Sequence, residues 1–236
     1  KILCDEAEEN NLGDNALNER WNRWHKCSLC EQHYHGDVKC ALGWAVWKTY
    51  VGRPEADQIR QMAMNLLGNG LYDSGHRDDA LAVEEAHVSL LRRLGAPAKV
   101  ILLAQGNIAS TYLSLGRLEE ALEIERDVYS GYSKLYGKEH EQTTMAANNY
   151  ASGLMRSARF DEAKSVLRKW MPLARRVLGK GHQTTLLMRL NYARALYKDS
   201  DATLDDLRES VETLEDLERT ARRVLGSTHP IATGIR

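Results

Sequence analysis

The sequence predicts an all-α solenoid of stacked helix pairs, preceded by a short Cys/His/Trp-rich segment that reads as zinc-finger-like. Three observations predict this. Leu94-Gly95, Tyr136-Gly137, Leu178-Gly179 and Leu225-Gly226 lie 42, 42 and 47 residues apart, and a period of roughly 20–50 residues marks a stacked-repeat architecture. A second series, Ser74-Gly75-His76-Arg77-Asp78-Asp79-Ala80, Leu115-Gly116-Arg117-Leu118-Glu119-Glu120-Ala121 and Ser157-Ala158-Arg159-Phe160-Asp161-Glu162-Ala163, places its alanines 41 and 42 residues apart. All 4 cysteines and all but one of the 5 tryptophans lie within the first 47 residues, so the chain has two compositional regions.

The composition bounds the function. With 236 residues, 43% hydrophobic and 28% charged, the chain can build one large or two small domains and is not of disordered type. A balance of 32 basic and 33 acidic residues gives a net charge of −1, so no global field draws it to nucleic acid or an anionic membrane. Mean hydropathy is −0.50, and no apolar run reaches the roughly 18 residues a bilayer span requires, so no membrane partner is expected. The start, Lys1-Ile2-Leu3-Cys4-Asp5-Glu6, shows no signal-peptide pattern and no Met, which reads as part of a longer chain. Tight Cys-x-x-Cys spacing without a secretory signal points to metal or redox chemistry in a reducing, cytoplasmic setting.

The first element, residues 1–52, contains Cys27 through Cys40, which fits Cys-x2-Cys-x4-His-x4-Cys with Cys27, Cys30, His35 and Cys40 as ligands. Four such ligands in tetrahedral array suit Zn²⁺. Glu31 and Tyr34 stand where a nucleic-acid knuckle has glycine, and basic residues do not cluster there, so a nucleic-acid partner ranks last. A redox role for Cys27 and Cys30 fits less well, because no strand pattern precedes Trp24. Cys4 reads as an ordinary cysteine in a charged helix. Trp44, Trp47 and Tyr50 at i, i+3 and i+6 read as the core face of a helix that docks this segment onto the first repeat.

Four repeats follow, at 57–98, 99–140, 141–182 and 183–236. Each reads as two helices. In the second, Leu102, Leu103, Ile108, Ala109, Tyr112 and Leu115 form one stripe, and Leu118, Ala121, Leu122, Ile124, Val128, Tyr129 and Leu135 another. Gly116 sits at the turn between them, where positive φ reverses the chain. Small residues at Gly68, Ala109, Ala151, Ala193, Ala80, Ala121 and Ala163 allow close helix approach. Leu207 replaces the alanine 44 residues after Ala163, so the last unit carries a small insertion near Asp199 to Asp201. Pro172 should cost one internal bond and bend its helix. The end at Gly234-Ile235-Arg236 offers no obvious capping helix after Pro230. His140, His182 and His229 close their turns and read as structural.

Asn-x-Ala, then Leu-Gly-Arg-Leu-Glu-Glu-Ala, then a closing Leu-Gly-x-x-His turn resemble the tetratricopeptide (TPR) family, in the 42-residue form of kinesin light chains and nephrocystin-like proteins. The resemblance covers about residues 57–236 and implies a right-handed superhelix whose inner helices line a peptide groove. Asn107, Asn149 and Asn191 occupy the position at which the family holds peptide backbone; an Asn offers both donor and acceptor. One turn on, the face presents Ser110, Ser152 and Arg194, then Ser114, Arg156 and Lys198. The increase in positive charge suggests an acidic or carboxylate-bearing peptide. The alternative is that these Asn brace neighbouring helices. In the first unit Leu66 replaces the Asn.

Asn18 through Trp24, leading into Cys27-x-x-Cys30 and Tyr34, resembles the closing third of a RING-CH finger, and the run to Pro54 resembles algal proteins that join such a finger to kinesin-light-chain-like repeats. The resemblance implies that Cys27 and Cys30 are the last pair of a larger zinc site. No phosphate loop, nucleophile elbow or His-Glu-x-x-His motif is present, so catalysis by this chain is not expected. The reading is a non-catalytic protein-interaction adaptor; the alternatives are the substrate-recognition part of a RING-CH-type ubiquitin ligase and a zinc-knuckle nucleic-acid binder.

Overall fold

The computed structural model describes residues 6, 10, 12–226 and 229–233; Cys4 and Gly234-Ile235-Arg236 fall outside them. Among the described residues the regular elements are all helical, apart from one isolated bridge between Lys26 and His33. The chain divides into two compact units, Lys1–Leu115 and Gly116–Arg236.

Unit 1 contains α1 (Gly13–Trp21), a 3₁₀ turn (Asn22–Trp24), α2 (Gly36–Tyr50), α3 (Gln58–Asp73), α4 (Arg77–Arg93) and α5 (Ala98–Ser114). Asp57 starts α3: its carboxylate accepts the Arg60 backbone N–H at 3.0 Å, satisfying one of the orphan donors of a helix N-terminus. α3 packs on α4 and α4 on α5. The N-terminal segment docks through Leu17, Trp21, Val46 and Tyr50, which share a core with Ile59, Ala63 and Leu66 of α3. The docking face of α2 is thus Gly43, Val46 and Tyr50 with Trp47 at its edge, and Trp44, expected in the core, is 43% exposed. Position 44 lies about 100° around the helix from position 43, and α2 turns Gly43 to its neighbour because the two backbones nearly touch. A Cβ on Gly70 would lie 2.8 Å from the Lys39 carbonyl oxygen and 2.9 Å from Cα of Cys40; one on Gly43 would lie 3.0 Å from Cα of Leu67.

Unit 2 contains α6 (Leu118–Tyr136), α7 (Glu141–Arg156), α8 (Phe160–Val177), α9 (Gln183–Lys198), α10 (Leu204–Leu225) and the single turn α11 (Pro230–Thr233). Each of α6 to α10 packs on the next, and α7 also meets α9; helix pairs are laid side by side. Their core gathers Ala147, Ala151, Leu167, Trp170, Met188, Tyr192 and Leu196. Trp170 donates its indole N–H to the Tyr129 hydroxyl at 3.2 Å, which satisfies the one polar atom that a buried Trp carries. α8 continues through Pro172 to Val177. After Pro230 the chain does form a helical turn, and Ile231 and Ala232 bury themselves against Leu217 and Ala221.

The turns at 74–76, 115–117 and 157–159 have three residues and that at 199–203 has five, which locates two of the five residues by which the 47-residue interval exceeds 42; the rest lengthen α10. Gly75, Gly116 and Ala158 occupy the same place with φ of +90°, +75° and +56°. The alanines and Gly68 expected at close helix contacts are all buried.

Candidate functional site

The polar face of unit 2 is built from one side of α7 and α9. Asn149 is exposed, but Asn191 is half-buried and engaged. Its amide donates to the Ser152 hydroxyl at 2.9 Å and to Oδ1 of the buried Asn148 at 3.3 Å, while Ser152 donates to the Asn148 carbonyl at 3.0 Å. The bracing role weighed for these Asn is therefore real for Asn191, and the cross-helix partner is Asn148 rather than Asn149. Asn191 keeps its side-chain carbonyl as an acceptor. Arg156 is exposed at the end of α7, Arg194 is half-buried, and Lys198 is exposed at the end of α9. Lys198 shares a cavity of about 410 Å³ with Arg159, Asp161, Glu162, Asp199 and Asp201. Its surroundings are therefore more acidic than basic, although Lys164 pairs with Asp199 at 2.7 Å and Asp161 at 2.9 Å.

In unit 1, Asn107 is half-buried and Ser110 is exposed. Ser110 turns its hydroxyl back onto the Gly106 carbonyl at 3.1 Å, and Ser114 meets the Tyr72 hydroxyl at 2.8 Å. Leu66, which replaces the repeated Asn in the first unit, is only 1% exposed. It is a core residue there, and beside it Asn69 donates to Asn65 at 3.0 Å.

Two buried acids escaped the sequence reading. Glu84 and Glu125 each follow a buried alanine by four residues, Ala80 and Ala121, and so share its helix face. Glu84 accepts the Thr111 hydroxyl at 2.8 Å, yet burial pushes its pKa up to about 7. Burial pushes Glu125 to about 8 against the opposing charge of Arg156, and its Oε2 has no hydrogen-bond partner among the described residues. Burial of this kind favours the neutral form of a carboxyl. The 41-residue interval between the two was the available signal.

The cysteine segment forms a short hairpin. Cys27 N–H donates to the Gln32 carbonyl, Tyr34 N–H to the His25 carbonyl and Glu31 N–H to the Cys27 carbonyl, each at 2.9 Å, and Glu31 takes a φ of +56° at the position where glycine is easiest. The backbone N–H groups of Cys30 and Leu29, then the side chains of Cys30 and Tyr34, hold the Cys27 thiol below its ordinary pKa. His35 instead caps α2 with extended backbone, and Cys40 packs beside Leu67, Leu71 and Ala80. Cys27 and Cys30 of the expected set thus lie on the hairpin and His35 and Cys40 at the start of α2, and among the described residues no three His, Cys, Asp or Glu side chains gather as a metal site.

The closing-turn histidines are structural. Nδ1 of His140, His182 and His229 accepts the backbone N–H two residues on, from Gln142, Thr184 and Ile231, each at 3.2 Å. This is the N-cap geometry usually supplied by Ser or Asp.

Residues 100–169 match the tetratricopeptide repeat family. The chain has a tetratricopeptide-repeat fold. A putative kinesin light chain of Podosopora anserina with nearly identical TPR-like repeats is similar at 18% identity and a TM-score of 0.63, over 95% of this chain and 93% of that one. BtubC (BKLC) from P. vanneervenii is similar at 15% identity and a TM-score of 0.63, over 84% of this chain and 86% of that one. A Rap protein complexed with competence and sporulation factor is similar at 19% identity and a TM-score of 0.58, over 84% of this chain and 56% of that one. No curated protein sequence matches the chain. Among the described residues no helix is long and apolar enough to cross a membrane.

Proposed function

We propose that the chain is a non-catalytic adaptor that holds an extended peptide against the polar face of α7 and α9. The observation that carries this reading is the Asn148–Ser152–Asn191 network, which fixes side-chain amides at the α7–α9 contact with Asn149 exposed beside it. Fixed amides of this kind can meet peptide N–H and C=O groups without reference to the peptide's side chains. Arg156 and Arg194 then favour an acidic peptide, with Lys198 contributing less among its neighbouring carboxylates, and in unit 1 Asn107 and Ser110 have the matching role on α5. The tetratricopeptide fold supports the reading, as does the complex of a similarly folded Rap protein with competence and sporulation factor. A polarisation screen of extended acidic peptides against the purified chain tests it. Micromolar binders lost in Asn149→Ala with Asn191→Ala, with the helical circular-dichroism signal kept, are the expected result.

A second reading concerns the hairpin. Cys27, with its thiol eased toward thiolate by backbone N–H groups, and Cys30 supply two soft donors suited to Zn²⁺, as the end of a larger finger of RING-CH type would. His35 and Cys40 would complete a self-contained site, whereas a larger finger would not need them. Elemental analysis discriminates: one equivalent of zinc lost in both Cys27→Ser and Cys40→Ser means a self-contained site, whereas little zinc leaves Cys27 and Cys30 as half of a larger one.

A further inference from the structure

Unit 2 has a second concavity, of about 540 Å³, on another side of α9. Arg189 and Tyr192 line it, and each lies two residues, or about 200° of helical turn, from Asn191 and Arg194 respectively. Four cations reach this cavity, Arg168, Arg175, Lys180 and Arg189, with two carboxylates, Glu209 and Asp216. Both carboxylates are already satisfied. Arg189 donates to Asp216 at 2.6 Å. The Tyr192 hydroxyl donates to Glu209 at 2.8 Å and accepts from Arg168 Nε at 2.7 Å, with Arg168 also 3.8 Å from Glu209. Arg175 and Lys180 are exposed and have no ion-pair partner among the described residues. In the same wall the hydroxyl of Thr185, a residue only 2% exposed, has no hydrogen-bond partner. Lys180 and Arg189 both help hold Asp216 ionised, the Arg189 hydrogen bond most strongly, so the two cations face the same space.

Four cations against two carboxylates leave the lining with an excess of two positive charges, and the exposed guanidinium of Arg175, an idle hydroxyl and an apolar wall from Met171 and Pro172 complete the chemistry of what fits. A monocarboxylate would answer one charge. A phosphate monoester carries about −1.5 to −2 at neutral pH and three strong acceptor oxygens, which answers both charges and the hydroxyl. We propose that this cavity between α8, α9 and α10 is a binding site for a phosphate monoester group, separate from the peptide face and independent of it.

Calorimetric titration of the full chain with inorganic phosphate, phenyl phosphate and acetate at equal ionic strength is the test. Phosphate and phenyl phosphate should bind, and acetate at least tenfold more weakly. Phenyl phosphate binding more tightly than free phosphate assigns an ester on an apolar body and sustains the proposal; phenyl phosphate binding equally or more weakly would overturn the monoester assignment. Arg175→Ala with Lys180→Ala should weaken phosphate by roughly tenfold or more, the loss of two charge-assisted bonds. Arg176→Ala, whose partner is Glu139 outside the cavity, should not. Acetate binding as well as phosphate, no heat from any anion, or undiminished affinity in the double variant would each overturn the proposal.

Discussion

Ala158 holds φ at +56° in a turn where the two corresponding positions, Gly75 and Gly116, are glycine. An L-residue in that region costs about 1–2 kcal/mol, and the chain bears this at one turn of unit 2. Ala158→Gly should raise the urea midpoint, with a gain of about 1 kcal/mol once the greater backbone freedom of unfolded glycine is subtracted; an unchanged or lower midpoint would show that the turn is not strained. Glu84 and Glu125 make stability depend on pH. Their carboxyls are raised to about 7 and about 8 by burial, above the ordinary value of an unfolded carboxyl. Their contribution is therefore complete below about pH 4.5 and is lost as pH rises through 7 to 8, because ionising a buried acid opposes the native state. Glu125→Gln, neutral at all pH, should flatten that fall and be the more stable chain at pH 9; parallel wild-type and variant curves from pH 5 to 9 would contradict the assignment. Charged residues in a helical pattern read as solvated, so neither acid was legible from residue type.

At the scale of elements, helices were legible because their information is periodic: the 42-residue interval, the turn glycines and the closing histidines each repeat. The inserted residues near Asp199 appear as the longer 199–203 turn, closed by reciprocal bonds between Thr203 and Asp206. Contacts that do not repeat were not legible. The α2–α3 crossing depends on Gly43 and Gly70, which belong to no series, and Trp44 was placed in the core because its size outweighs a neighbouring glycine in any pattern of apolar residues. Gly70→Ala tests the crossing. Its methyl would meet the backbone of Lys39 and Cys40, which no side-chain rotation relieves, so a loss of about 1–3 kcal/mol is expected. A neutral substitution would mean that α2 can move away from α3 at no cost. For the cysteines, spacing along a chain says which residues can meet, whereas packing adds that Cys40 lies against Leu67 and Leu71.

At the scale of the molecule, the fold provides amides and cations on a helical frame. The polar face of α7 and α9 was legible as a row of Asn but not as a network, since Asn148 and Asn149 are adjacent and only the packing decides which one turns inward. The same packing gives Asn191 a bracing duty along with its remaining acceptor. The most direct test of the adaptor reading is the affinity of the best acidic peptide from the screen for the wild type and for Arg194→Glu with Lys198→Glu. Reversal of two cations beside the fixed amides should weaken binding by more than about tenfold, with the thermal unfolding midpoint little changed. Unchanged affinity for every bound peptide would contradict the assignment of the peptide to this face.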